Sequence, residues 1–104
     1  MPRRTSAGPA SDPELLILAS LAPGPKHGYA VMIDVAEFSG VSIGPGTLYT
    51  AIGRLVNRGW IEPVSPSGRQ RPYRLTGTGA VHLEVRLIAM REIAAIGLDR
   101  LRLA

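Results

Sequence analysis

The stretch "GPGTLYTAIGRLVNRGWIEP", Gly44 to Pro63, decides the fold. Gly44 can stand as an N-cap, and Pro45 suits the first helical position, where a missing N–H costs nothing. Leu48, Ile52, Leu55 and Val56 recur at helical spacing and make an inward face. Gly59 is placed to end the helix in a left-handed conformation. The outward face carries Thr47, Thr50, Ala51, Arg54, Asn57 and Arg58, with Tyr49 beside it. That surface is polar, basic and thinly populated with acids. After it, "WIEPV" changes to strand character.

Downstream, "PYRLT" is a second short segment of strand character. Between the two lies "SPSGRQR", a polar turn with a glycine that carries Arg69 and Arg71. This pattern predicts a hairpin. Pro63 and Pro72 restrict it to an edge or a two-stranded ribbon, since proline donates nothing to a ladder. Upstream, "SDPE" starts a first helix: Asp12 caps it, Pro13 fits its first position and Glu14 suits its positive end. Leu15, Leu16, Leu18, Ala19 and Ala22 give it a broad buried face, and "APGP" breaks it. A second helix is predicted from about His27 to Phe38, with Tyr29, Met32, Ile33 and Ala36 on one side and a stop at Ser39–Gly40. Val41–Ile43 could be a minimal strand.

The order helix, helix, helix, hairpin defines a winged helix-turn-helix, in which the third helix is the recognition element and the hairpin the wing. The fold class is mainly α with a small β-hairpin, followed by a long C-terminal helix. The expected domains are a flexible N-terminal arm over 1–11, the winged domain over 12–77 and a C-terminal dimerisation helix over 78–104.

At 104 residues the chain favours one domain. It can build one modest core rather than an enzyme cleft with its scaffold. The 45% hydrophobic content marks it as globular. "LLILASLA" is too short to span a membrane and reads as a core helix rather than a signal peptide. The absence of cysteine excludes disulfides and thiolate metal sites. With two histidines and scattered acids, no catalytic constellation, metal site or cofactor loop is expected. The net charge is +4, and its distribution is uneven. From Arg54 to Arg74 five arginines stand against the single acid Glu62, so this window alone carries +4. Such a local field suits a polyanion, although a solvated arginine-rich surface gives the same count.

Each candidate residue has a physical role to offer. Thr47 and Thr50 can donate to or accept from base edges, or touch a thymine methyl. Arg54 can reach a guanine edge or a phosphate, or merely be solvated. Tyr49 can reach a phosphate through its hydroxyl, or pack in the core. Gly46 would let a phosphate approach the free N–H groups at the helix start. Arg69 and Arg71 at the wing tip would lie over a phosphate strand or in the minor groove. Lys26 and His27 open the second helix and could hold a backbone phosphate, with His27 equally placed as a cap. Tyr29 and Tyr73 are expected in the core, and Trp60 at its edge.

At the family's spacing, "HGY" (His27–Tyr29), "TLY" (Thr47–Tyr49), "RL" (Arg54–Leu55), "GWIE" (Gly59–Glu62) and "YRLTGTG" (Tyr73–Gly79) resemble the PadR family of transcriptional regulators. The resemblance implies a cytoplasmic homodimer that binds operator DNA, a repressor in most members and released in some by a small molecule. Two positions depart from the family pattern: Thr50 where proline commonly follows "TLY", and Gly53 where a charge is favoured.

In the last helix Leu83, Leu87, Met90, Ala94, Leu98 and Leu101 form one stripe, widened by Val85, Ile88, Ile93 and Ile96. A helix of this length runs about 40 Å, more than so small a winged domain can cover. Packing against the same helix of a second copy is the economical solution, with part of the stripe folding back on the first helix. This helix has no aromatic residue, so an effector pocket there would be aliphatic, between Leu87, Met90 and a partner. The rival reading is a winged-helix protein-interaction module, whose third helix would present apolar anchors instead of threonines, an asparagine and an arginine.

Overall fold

The computed structural model describes residues 12–65 and 71–103. The predicted arm and Arg69 lie outside the described residues. The element order is α1 (Pro13–Leu21), α2 (Gly28–Ser39), α3 (Pro45–Asn57), β1 (Ile61–Pro63), β2 (Tyr73–Leu75) and α4 (Gly77–Leu103). This is the winged helix-turn-helix followed by a long helix.

α1 is the hub. The Asp12 carboxylate accepts from the N–H groups of Glu14 and Leu15, which satisfies donors the helix start would otherwise leave bare. Leu15, Leu16, Ile17, Leu18 and Leu21 are all buried, because α2, α3, α4 and β2 surround the helix. A helix covered on so many sides has no single apolar face. The predicted stripe therefore missed Ile17 and Leu21 and wrongly included Ala22, which is exposed.

α2 is rotated relative to the expectation. Gly28, Val31 and Val35 point inward, while Tyr29, Ile33 and Ala36 are exposed and Met32 is half-buried. Tyr29, expected in the core, is 70% exposed. Two attachments at the head of the helix set this rotation. The Lys26 backbone exchanges hydrogen bonds with Tyr73, at 3.1 and 2.9 Å. Gly28 lies directly against Tyr49 of α3, where a Cβ would come within 2.5 Å of the tyrosine hydroxyl. A side chain at this position would have to displace the Tyr49 ring, so glycine suits the contact, and Val31 and Val35 face the core.

Gly40 and Gly59 end α2 and α3 at φ 75° and 76°, the left-handed stops expected of them. Val41–Ile43 forms no strand but an irregular connection, anchored by buried Ile43. α3 buries Leu48, Ala51, Ile52 and Leu55. Ala51, assigned outward from the sequence, is covered because the start of α1 lies alongside it, and Val56 is left partly exposed.

β1 and β2 pair antiparallel, Ile61 with Leu75, Glu62 with Arg74 and Pro63 with Tyr73. Pro63 sits on the outer strand, while β2 is paired on both sides through Lys26. The wing is thus sewn to the head of α2. Thr76 then caps α4: its hydroxyl accepts from Gly79 N–H at 3.0 Å and donates to the Gly59 carbonyl at 2.6 Å. Gly79 backs onto the Trp60 carbonyl so closely that any Cβ would collide with main chain. The Trp60 ring stacks on His82 at 3.7 Å, nearly parallel. One joint therefore links the end of α3, the base of the wing and the start of α4.

Leu83 is buried and completes the winged domain's core, and Met90 packs half-buried against it. Leu83 therefore leaves the predicted dimer stripe, because the first turns of α4 lie across α1. Beyond Met90 every described residue of α4 is exposed.

Candidate nucleic-acid interface

Thr47, Tyr49, Thr50, Arg54 and Asn57 all stand exposed on α3. Tyr49 and Asn57 face the wing, whereas Thr47, Thr50 and Arg54 line a groove beside the start of α1. A trough between α3 and the wing is lined by Tyr49, Gly53, Val56, Asn57, Pro63 and Arg71. It continues into a cleft of about 460 Å³ between the wing and the head of α2, lined by His27, Gly28, Tyr29, Tyr49, Arg71 and Tyr73. Tyr49, Arg71 and Tyr73 belong to both. Three segments far apart in sequence thus converge on one continuous concave surface.

Gly46, in the first turn of α3, has no atom within 4 Å of where a Cβ would stand. Its side of the helix start is open, and no side chain caps α3 there. His27 is the N-cap residue of α2 in extended conformation, but its imidazole makes no capping bond. The donors at the head of α2 are therefore left to another partner. Lys26 is differently placed than expected. Its ammonium turns inward to the Ser20 carbonyl and lies 3.9 Å from the Asp34 carboxylate, which accepts from the Ser20 hydroxyl. The lysine ties α1 to α2 and holds the surface up from below.

The basic field is less bare than its sequence window indicates. Arg74 pairs with Glu62 across the strands at 2.8 Å. Glu14, from the first turn of α1, contacts Arg58 closely and Arg54 at 3.8 Å. Arg58 also lies over the Trp60 ring, 5.2 Å from its centre. Such exposed ion pairs add only about 0–1 kcal/mol of stability each. Their importance is for the field the surface presents. No sequence signal places Glu14 here, since it stands 44 residues from Arg58. Likewise Asp12 pairs with Arg86 of α4 at 3.2 Å.

On the far side of the molecule Leu15, Leu16, Ala19, Phe38, Leu87 and Met90 line an apolar groove between α1, the end of α2 and α4. Phe38 supplies an aromatic wall that α4 itself lacks. Among the described residues no helix is long and apolar enough to cross a membrane, and no cluster of three or more His, Cys, Asp or Glu could hold a metal ion.

The family model described as the transcriptional regulator PadR-like family matches residues 17–85, the stretch that contains α2, α3, the wing and the joint to α4. The chain belongs to this family. A PadR family transcription regulator from hypervirulent Clostridium difficile R20291 is similar at 28% identity and TM-score 0.74, over 86% of this chain and 97% of that one. Bacillus subtilis PadR, solved in complex with operator DNA, is similar at 26% identity and TM-score 0.63, over 72% of this chain and 47% of that one. An uncharacterized 37.1 kDa protein in transposon TN4556 of Streptomyces fradiae is 43% identical over 74 residues, 71% of this chain. The chain spans only 21% of that relative's length. The PadR motifs now have a physical basis in this chain: "HGY" and "TLY" meet where Tyr49 lies on Gly28, and "GWIE" meets "TGTG" where Trp60 lies on Gly79.

Proposed function

We propose that this chain is a sequence-specific DNA-binding transcriptional regulator, a cytoplasmic repressor that occupies an inverted-repeat operator as a homodimer. The observation that carries the reading is the shared concave surface of α3, the wing and the head of α2, with Tyr49 and Arg71 at its centre. A major groove admits one helix. With α3 in the groove, Thr47, Thr50 and Arg54 face base edges. Tyr49, the open N–H groups near Gly46 and the head of α2 at His27 face phosphates. Arg69 and Arg71 on the wing reach the flanking backbone or the minor groove. The B. subtilis relative was solved in complex with operator DNA, which supports the DNA-binding reading.

The second copy is called for by α4. Leu87, Ile93, Ile96, Leu98 and Leu101 are exposed, a larger apolar surface than a monomer ordinarily leaves in water. The partner's α4 fits this stripe, with the groove beside Phe38 as its continuation. An apolar effector would enter at that same groove, where Leu87 and Met90 meet the partner, and act by altering the spacing of the two α3 helices. The protein-interaction alternative is disfavoured by the polar character of the α3 face.

The test is a titration of the protein into labelled random duplex and into a duplex from its own genome's regulatory regions, at several salt concentrations. Binding to both is expected, tighter to a regulatory site, with log affinity falling linearly in log salt. Absence of any salt-dependent duplex binding would favour the interaction module.

A further inference from the structure

Glu14 is the acid nearest the arginines of the recognition face, and it comes from another element. Its two carboxylate oxygens are divided between two guanidiniums at the end of α3, Oε1 toward the C-cap residue Arg58 and Oε2 at 3.8 Å from Arg54. The carboxylate is largely covered, with 20% of its side chain exposed, while Arg54 and Arg58 keep 63% and 46%. The groove beside this contact is lined by Gly46, Thr47, Thr50 and Arg54, so the acid flanks the same surface proposed to meet bases. Asp12 has no comparable role, since it is occupied with the α1 cap and Arg86.

Resting on the DNA-binding reading above, we infer that Glu14 is a specificity-determining residue that withholds Arg54 and Arg58 from sequence-independent phosphate contacts. Non-specific affinity comes from cations that displace counterions from phosphates. An arginine already neutralised by a carboxylate contributes less to that term. A base edge read by α3 rewards Arg54 at one register only, whereas phosphates are present at every register. Holding the two arginines on Glu14 therefore lowers the affinity for all duplexes but lowers it least at the operator. The ratio of specific to non-specific binding rises, and that ratio is what matters against a genome of competing sites.

The experiment compares the parent chain with Glu14→Gln, on a selected operator duplex and on a random duplex, between about 50 and 200 mM salt. Glu14→Gln is expected to bind the random duplex more tightly. Its salt slope should steepen by about 0.9 for each freed contact, up to about 1.8. At 0.1 M salt each contact corresponds to roughly eight-fold in affinity. The operator-to-random ratio is expected to fall. In an Arg54→Gln/Arg58→Gln background the same substitution should leave the slope alone. Unchanged slope and ratio for Glu14→Gln would overturn the inference, and so would a steepening that persists without the arginines, which means plain repulsion. If Glu14→Gln unfolds, Glu14→Asp keeps the charge at the α1 start but is too short to serve both arginines. It should steepen the slope by about 0.9, and an unchanged slope in a folded Glu14→Asp protein overturns the inference equally. A parent chain that binds neither duplex refutes the DNA-binding reading itself, whereas a parent that binds with Glu14 inert refutes only this assignment.

Discussion

α3 and α4 are both rich in apolar residues and dispose of them in opposite ways. α3 sorts most of them: Leu48, Ala51, Ile52 and Leu55 go inward, and Thr47, Thr50, Arg54 and Asn57 remain outside with Tyr49 and part of Val56. α4 does not sort them. Of its 27 residues only Gly79 and Leu83 are buried, and valines, isoleucines and leucines stand exposed along its length. A helix whose aliphatic face is largely used within its own chain has a surface left over for something polar. A helix whose apolar residues are unused has a surface left over for something apolar. In the proposed function the two helices serve two different partners, duplex DNA for α3 and a second copy for α4.

The comparison breaks most visibly at the distal end of α4. Leu98→Glu should leave the winged domain folded, since Leu98 takes no part in its core. Each copy of a dimer would then bury an unpaired carboxylate, and the protein should sediment as a monomer. Affinity for an inverted repeat should fall by about 10²–10⁴-fold, because the second half-site is no longer linked. A dimer that survives Leu98→Glu would place the interface elsewhere.

The same stripe offers an internal control nearer its start. Leu83→Ala should cost about 2–5 kcal/mol of folding stability at any protein concentration, because Leu83 belongs to the core. Leu98→Ala should instead lower a melting temperature that depends on concentration. Thermal denaturation at two concentrations separates them. Equal and concentration-independent losses at both positions would erase the distinction between the two ends of α4.

On α3 the expected effects are smaller and concern binding rather than folding. Arg54→Ala should cost about 1–3 kcal/mol of operator binding. The melting temperature should hardly move, because Arg54 is itself mostly exposed and its contact with Glu14 is loose at 3.8 Å. Unfolding, or an intact operator affinity, would remove Arg54 from the reading face. Smaller still for sequence discrimination is the wing. Replacing Arg69 and Arg71 together should weaken all duplexes alike and flatten the salt slope by roughly one unit per lost phosphate contact. A loss confined to one sequence with an unchanged slope would mean that the wing reads bases.

These contrasts also explain which parts of the molecule could be read in advance. The element order, both glycine stops, the cap at Asp12 and the start of α3 at Gly44–Pro45 were legible, because each depends on residues within one turn of each other. The rotation of α2 was not. Tyr29, Ile33 and Ala36 make as good a stripe as Val31 and Val35, and what separates them is tertiary: the Lys26–Tyr73 backbone bonds and the contact of Gly28 with Tyr49. The position of Leu83 was hidden for the same reason, since a stripe shows that a face is apolar but not what covers it. At the candidate interface the exposed face of α3 was legible from periodicity. The inward turn of Lys26 and the reach of Glu14 were not, because their partners Asp34, Arg54 and Arg58 come from other elements.

The most direct measurement is selection of binding sites from random duplexes by the purified chain, followed by sequencing of the enriched pool. Two α3 helices joined through α4 should enrich an inverted repeat whose half-site centres lie about one helical turn apart, near 34 Å, or a multiple of that. Enrichment of a single asymmetric half-site, or of no sequence at all, would contradict the claim that α4 exists to present two copies of α3 to one duplex.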